Sequence, residues 1–263
     1  TLRDGERTLP PEALKNLSDE DTNRINSDKN QSFTFTNFNA CLIQNGKQNL
    51  LVDTGCGTLF GPTCGFIIEA LDELGLAPDD ITDIFITHLH PDHIGGCINE
   101  DGSAVFGNAN FKIIEEEHNF WTLKEFGSDE VNGRDWSSLA KNVLSAYDAQ
   151  LEVLKSDKDI ISGVSTVPLP GHTPGHQSVL VNLPKTGHML FTGDACYTGD
   201  HWCDKCLPGL VASASDAADS VKKLRKVADL VRGLNVNKAL SSLSHMDEKG
   251  AAIILITLSS ACL

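Results

Sequence analysis

The sequence predicts an α/β fold in which two sheets face each other and helices cover their outer faces. Two observations predict it. Strand-like runs are interleaved with helical patterns in both halves of the chain. Clusters of His, Asp and Gly fall where those strands end, which is where loop-borne sites are assembled.

The elements follow in order. Thr1 to Asn30 is polar and charged and reads as an N-terminal arm, which leaves residues 31–263 as a single domain. Phe33 to Ile43 alternates Phe, Thr and Asn as a strand does, Asn49 to Asp53 is a second strand, and Gln44-Asn45-Gly46-Lys47 supplies the hairpin turn. Gly65 to Leu74 places Phe66, Ile67, Ala70, Leu71 and Leu74 at helical spacing, with Gly75 as its C-terminal stop. Ile81 to Thr87 is a short apolar strand. Phe111 to Ile114 is a strand, and Glu115 to Phe126 and Trp136 to Tyr147 are helices. Val164 to Leu169, Gln177 to Leu183 and His188 to Thr192 are strands. Asp216 to Val231 is an amphipathic helix, basic toward its end as the helix dipole favours, and Lys238 to Leu243 and Ala251 to Leu258 close the chain as strands.

Composition narrows the functions. A net charge of −15 and a pI near 4.9 argue against nucleic acid, whose phosphates need clustered Lys and Arg. The longest apolar stretch, Ala251 to Leu258, is too short to span a bilayer, so no membrane partner is expected. Residues 1–30 contain no apolar signal-peptide core, but the chain begins without Met, so a leader could have been removed. A cytoplasmic location is favoured, with a mature periplasmic or secreted form as the alternative. Eight cysteines are too few for a disulfide scaffold at this length. Cys203-Asp204-Lys205-Cys206 lacks the second pair of a zinc ribbon and reads as a loop feature or a local disulfide.

The chemistry concentrates in His88-Leu89-His90-Pro91-Asp92-His93. Residues two apart at a strand end point to one side, so His88 and His90 can grip one metal ion. Pro91 turns the chain, and Asp92 and His93 then face a second position. Imidazole and carboxylate suit zinc and related first-row ions. The alternative, four unrelated polar residues in a turn, is weak: three of the chain's nine histidines lie within these six residues. Two metal shells need further ligands. His172 lies in Pro170-Gly171-His172-Thr173-Pro174-Gly175-His176, Asp194 ends the strand Phe191-Thr192-Gly193-Asp194, and His245 follows Leu243-Ser244.

Taken together, H-x-H-x-D-H, G-H-T-P-G-H, a later G-D and a late strand-end His resemble the metallo-β-lactamase superfamily, and Val52-Asp53-Thr54-Gly55 resembles its early strand-end motif. The resemblance runs from Phe33 to about Met246. It implies a four-layer αββα sandwich and a dinuclear centre. His88, His90 and His172 would hold one metal, Asp92, His93 and His245 the other, and Asp194 would bridge them. Two divalent ions are implied, zinc first, with manganese, cobalt and iron as alternatives. Asp53 would orient a ligand imidazole from behind. His176 is read as a structural hydrogen-bonder, and His118, His188 (on an edge strand) and His201 as bystanders.

Single positions separate the branches. Zinc β-lactamases do not place an Asp where Asp194 stands, and glyoxalase II-like thioesterases add a C-terminal helical segment. Gly193-Asp194-Ala195-Cys196-Tyr197-Thr198 resembles the N-acyl-homoserine lactonases, in which a Tyr three residues past the bridging Asp reaches the substrate carbonyl; Tyr197 matches it. Leu59 to Thr63 and Asn108 to Trp121 resemble the methyl parathion hydrolase group, which acts on organophosphate triesters and on lactones or aryl esters. The resemblance therefore implies a lactonase of the quorum-quenching type working through a metal-bridging hydroxide. Asp92 would pass a proton to the leaving alkoxide and Tyr197 would hydrogen-bond the oxyanion. Phosphotriester or aryl ester hydrolysis is the alternative, followed by thioesterase or β-lactamase activity and by a metal-binding scaffold without turnover. The partner is a small lactone or ester, and the polar arm could swap across a homodimer.

Overall fold

A computed structural model describes residues 1–8, 19, 23, 27, 35–126, 134–156, 158–183, 187–196, 211–232 and 255–257. The chain divides into two compact units, one of residues 1–8 and 35–155, the other of residues 9–34 and 156–263.

The first unit is built on a six-stranded sheet whose strands lie in chain order. They are β1 (Leu2–Thr8), β2 (Phe35–Asn45), β3 (Gln48–Val52), β4 (Asp83–Phe85), β5 (Asn110–Ile114) and β6 (Leu151–Leu154). The hairpin falls where the turn residues put it: Asn45 pairs with Gln48, and Gly46 takes φ 64° at the tip. β3 to β6 are parallel. The central strands of a parallel sheet are covered on both faces, which is why Leu50, Leu51, Val52, Ile84 and Phe85 are all fully buried rather than alternating. α1 (Ile67–Asp72) ends at Gly75 (φ 74°), and α2 (Pro91–Ile94) is a single turn. α3 (Glu115–Leu123) and α4 (Arg134–Ala146) bury Trp121, Ala140, Val143 and Leu144 in the core with Leu51, Ile84, Phe111 and Ile113. Tyr147 lies fully buried beyond α4, accepting from the Phe106 amide and donating to the Cys97 carbonyl.

Residues 2–8 correct the polar-arm reading. β1 pairs antiparallel with β2, and Leu2 and Asp4 both point inward. An aspartate at an inward position looks like solvent-exposed chain in the sequence. Here its Oδ2 accepts the Cys56 amide at 2.8 Å, and the Asp4 carbonyl takes the Phe66 amide. Burial pushes the Asp4 carboxyl above its ordinary range, against several backbone hydrogen bonds that pull the other way.

The second unit carries a five-stranded sheet in the order β11-β10-β9-β8-β7. Its strands are β7 (Asp159–Ile161), β8 (Val164–Pro168), β9 (Gln177–Leu183), β10 (Gly187–Gly193) and β11 (Leu255–Thr257). β7 to β10 are antiparallel neighbours and β11 is parallel to β10. His188, expected on an edge strand, therefore lies on β10 between two partners. α5 (Ala214–Arg232) buries Ala217, Val221 and Leu224, the stripe at i, i+4 and i+7, and Leu224 packs with Val167, Leu169 and Leu190. Among the described residues no helix is long and apolar enough to cross a membrane. Cys41, Cys56, Cys64, Cys97 and Cys196 are buried free thiols. Tyr197, the Cys203/Cys206 pair, His245 and the expected strand Lys238 to Leu243 lie outside the described residues.

Candidate metal centre

β4 ends at Phe85 and α2 begins at Pro91, so residues 86–90 have no continuous ladder and their amides are satisfied one at a time. The Ile86 amide donates to the Lys112 carbonyl, the Thr87 amide to Asp53 Oδ1 (2.8 Å) and the Leu89 amide to Glu117 Oε1 (2.9 Å). Pro91 starts a helical turn without losing a needed donor, and the His93 and Ile94 amides bond back to the His90 carbonyl. A chain that would fray in water is thus pinned, and His88, His90 and His93 are all buried.

Asp53 sets the imidazoles. It follows β3 with φ 59°, a left-handed conformation that Asp tolerates better than most residues. Its Oδ2 lies 2.8 Å from His93 Nδ1, so that nitrogen carries the proton and Nε2 keeps its lone pair. The Thr87 hydroxyl donates to Asp53 Oδ2 (2.8 Å) and so accepts from His88 Nδ1 (3.1 Å), which likewise leaves the lone pair of His88 on Nε2. One buried carboxylate thereby selects the tautomer of two histidines, the orienting role expected of Asp53. The Thr54 amide and hydroxyl both hold the His93 carbonyl, at 2.8 and 2.9 Å.

Two pairs of potential donors stand close together. His88 Nε2 and His90 Nδ1 stand 3.0 Å apart, and His93 Nε2 and Asp92 Oδ2 3.5 Å apart. Two nitrogens on one tetrahedral zinc at about 2.0–2.1 Å stand roughly 3.3 Å from each other, so each pair fits a shared divalent ion. Trp121 and Trp136 meet His90 edge-on, with ring centroids at 5.7 and 5.0 Å.

In the second unit the Gly171 to His176 loop and the end of β10 come together. His172 Nε2 lies 3.3 Å from Asp194 Oδ2, and both residues are buried. His176 is fully buried and binds backbone with both ring nitrogens: Nδ1 meets the Leu169 carbonyl at 3.1 Å and Nε2 accepts the Asp194 amide at 2.9 Å. It clamps the loop to the strand end, as a structural hydrogen-bonder should. Gly171 has φ 133°, and a Cβ there would lie 2.2 Å from the Ala217 amide nitrogen, so only glycine lets the loop sit on the start of α5. The Ala212 amide holds the His172 carbonyl and the Ser213 amide that of Gly171.

Sequence reasoning did not single out Glu117, Trp121, Trp136 or Thr87, whose placement beside the histidines comes only from folding. His118 is half-buried, bonded to Asn119 and remote in role.

Known proteins share this pattern. The metallo-beta-lactamase superfamily matches residues 34–236, and ribosomal protein L22p/L17e matches residues 212–262. An N-acyl homoserine lactonase AttM of Azorhizobium caulinodans is 35% identical over 173 residues, 62% of this chain and 59% of that protein. This chain thus spans less than two thirds of the length of such relatives. Among solved structures, the hydrolase AbOPH of the beta lactamase superfamily aligns with TM-score 0.75 at 25% identity, covering 85% of this chain and 80% of its own. AidC, a dizinc quorum-quenching lactonase in complex with a product, aligns with TM-score 0.76 at 24% identity, covering 87% and 82%. With a match over residues 34–236 that contains the whole H-x-H-x-D-H run, His172 and Asp194, the chain belongs to the metallo-β-lactamase superfamily.

Proposed function

We propose that this chain is a dinuclear metal-dependent hydrolase that opens lactone rings of the N-acyl-homoserine lactone type. The observation that carries the reading is the pair of imidazole nitrogens, His88 Nε2 and His90 Nδ1, held 3.0 Å apart beside tautomer-fixed His93, in a chain whose curated relatives are lactonases. The ligand set follows the family pattern: His88, His90 and His172 for one ion, Asp92 and His93 for the other, and Asp194 shared. His245 is kept as the seventh ligand, completing the set of Asp92 and His93; it lies outside the described residues. Zinc is the favoured metal.

When bound, a pair of divalent cations supplies a nucleophilic water at neutral pH and Lewis acidity toward the scissile carbonyl. Asp92 is taken as a carboxylate, the ordinary state of an aspartate at neutral pH. It first accepts a proton from the attacking water and then delivers it to the leaving alkoxide. That delivery matters in a lactone, whose leaving oxygen stays tethered and can close the ring again. Tyr197 would donate a hydrogen bond to the carbonyl oxygen as negative charge develops there.

The test is side-by-side kinetics of the zinc-loaded protein on an acyl-homoserine lactone, a simple γ-lactone, an aryl ester and a phosphotriester. The acyl-homoserine lactone should show the highest kcat/KM. A phosphotriester or aryl ester turned over more efficiently than either lactone overturns the lactonase reading. Turnover of none of the four overturns the hydrolase reading as well.

A further inference from the structure

The geometry points to Glu117 as a positioning residue for the His88-Leu89-His90 ligand pair; the metal consequence rests on the reading above, the positioning itself does not. Glu117 is fully buried on α3, and a buried carboxylate is costly unless its hydrogen bonds offset the lost hydration. Its Oε1 accepts two N–H donors, from the Leu89 amide at 2.9 Å and from the Trp121 indole, one helical turn along, at 2.6 Å.

Both donors lead to the imidazoles. Leu89 is the residue between His88 and His90, in the stretch with no ladder to fix it, so the direction of its amide sets where both rings leave the backbone. Trp121 meets His90 edge-on at 5.7 Å, and Trp136 of α4 flanks the same ring at 5.0 Å. Glu117 thus holds the backbone beneath the pair and one of the two walls that orient His90. Asp53 acts in the same way two residues earlier, taking the Thr87 amide and His93. Amides 87 and 89 are each held by a buried carboxylate from a different element.

Glu117→Gln is the informative change, because it keeps the side chain's reach and one acceptor oxygen while removing the charge. Three measurements on the full chain read it: the thermal unfolding midpoint without metal, nitrogen chemical shifts of the histidine rings without metal, and zinc affinity by competition with a chelator. The ring signals of His90 should shift while those of His172 stay. One zinc equivalent should weaken about 10–100-fold, with the unfolding midpoint within a few degrees of the parent. Trp121→Phe, which removes the indole donor and keeps an aromatic wall, should move His90 the same way by less. It serves as the readout if Glu117→Gln does not fold. Unmoved His90 signals in the variant that folds overturn the inference, as does unchanged zinc affinity in a protein whose parent binds two ions. A parent that binds no zinc while His90 still shifts overturns the metal reading and leaves the positioning role supported.

Discussion

Replacing Asp53 with Asn separates the orientation of the metal site from its mere presence. Asp53 accepts from the Thr87 amide (2.8 Å), the Thr87 hydroxyl (2.8 Å) and His93 Nδ1 (2.8 Å), and the side chain is buried. An Asn is as tolerant of φ 59° as Asp, so the substitution adds no backbone strain. Its carbonyl oxygen can still serve Thr87. Its amide group then faces His93, where a donor stands opposite a donor, and the conflict resolves only if His93 moves its proton to Nε2. That nitrogen then has no lone pair to offer a metal. A hydrogen bond to a charged acceptor is worth about 1.5–3 kcal/mol against about 1 for a neutral one, so the three bonds together predict a loss of about 2–4 kcal/mol of stability. Zinc affinity at the position that uses His93 should fall about 10–100-fold. Urea unfolding of the metal-free protein gives the first number, chelator competition the second, and nitrogen shifts of the His93 ring report the tautomer directly. His93 still protonated on Nδ1, or unchanged zinc affinity in a variant that has lost the predicted stability, refutes the reasoning.

Further outcomes follow from the same packing. His176→Ala strands the Asp194 amide and the Leu169 carbonyl, so unfolding should become about 2–4 kcal/mol easier while two metal equivalents remain at saturating zinc; loss of an equivalent by elemental analysis would make His176 a ligand. Lys112 holds the Asp83 carboxyl below its ordinary range against the opposing effect of burial. A depressed folded pKa gives stability that is present above the unfolded value of 3.8 and lost as pH falls through the folded one. Asp83→Asn should therefore cost about 3 kcal/mol at pH 7, and the gap to the parent should close below pH 3.8 in acid unfolding series. Burial pushes the Cys41 thiol up to about 11 and the Cys97 thiol up to about 12, so iodoacetamide at pH 8 should label neither until denaturant is added, as mass spectrometry reads. His245→Ala should cost one zinc equivalent by elemental analysis, and retention of both ions would remove His245 from the ligand set.

The His-rich run was legible because its residues are rare and closely spaced, and because it follows the short apolar run Ile84-Phe85-Ile86 at the end of a buried strand. The turn at Gly46, the stop at Gly75 and the bounds of β9 were legible for similarly local reasons: turn chemistry and alternation act within a few residues. What escaped depends on partners far along the chain. β1 escaped because Asp4 occupies an inward position, and only the Cys56 amide, which folding brings beside it, makes that burial tolerable. β6 escaped because a strand at the sheet edge buries little, and its Glu152 and Val153 are exposed. Glu117 reads as one of three consecutive glutamates at a helix start, where acids favour the dipole. Nothing local separates it from Glu115 and Glu116, which face solvent.

The two family matches overlap over residues 212–236, and the overlap falls on α5. Packing on the sheet requires Ala217, Val221 and Leu224 at i, i+4 and i+7, a stripe that any amphipathic helix with small residues near its start can offer. The support of the His172 loop asks for something narrower. The Ala212 and Ser213 amides must reach the His172 and Gly171 carbonyls, the Ser220 hydroxyl donates to the Pro170 carbonyl at 2.6 Å, and Gly171 must meet Ala217 without a Cβ between them. These contacts lie in residues 212–220, so the loop that carries His172 is held by the start of α5 and the two residues before it. The candidate ligands of the second unit, His172 and Asp194, thus owe their placement to β10, with β11 paired along it, to His176 and to the first turns of α5.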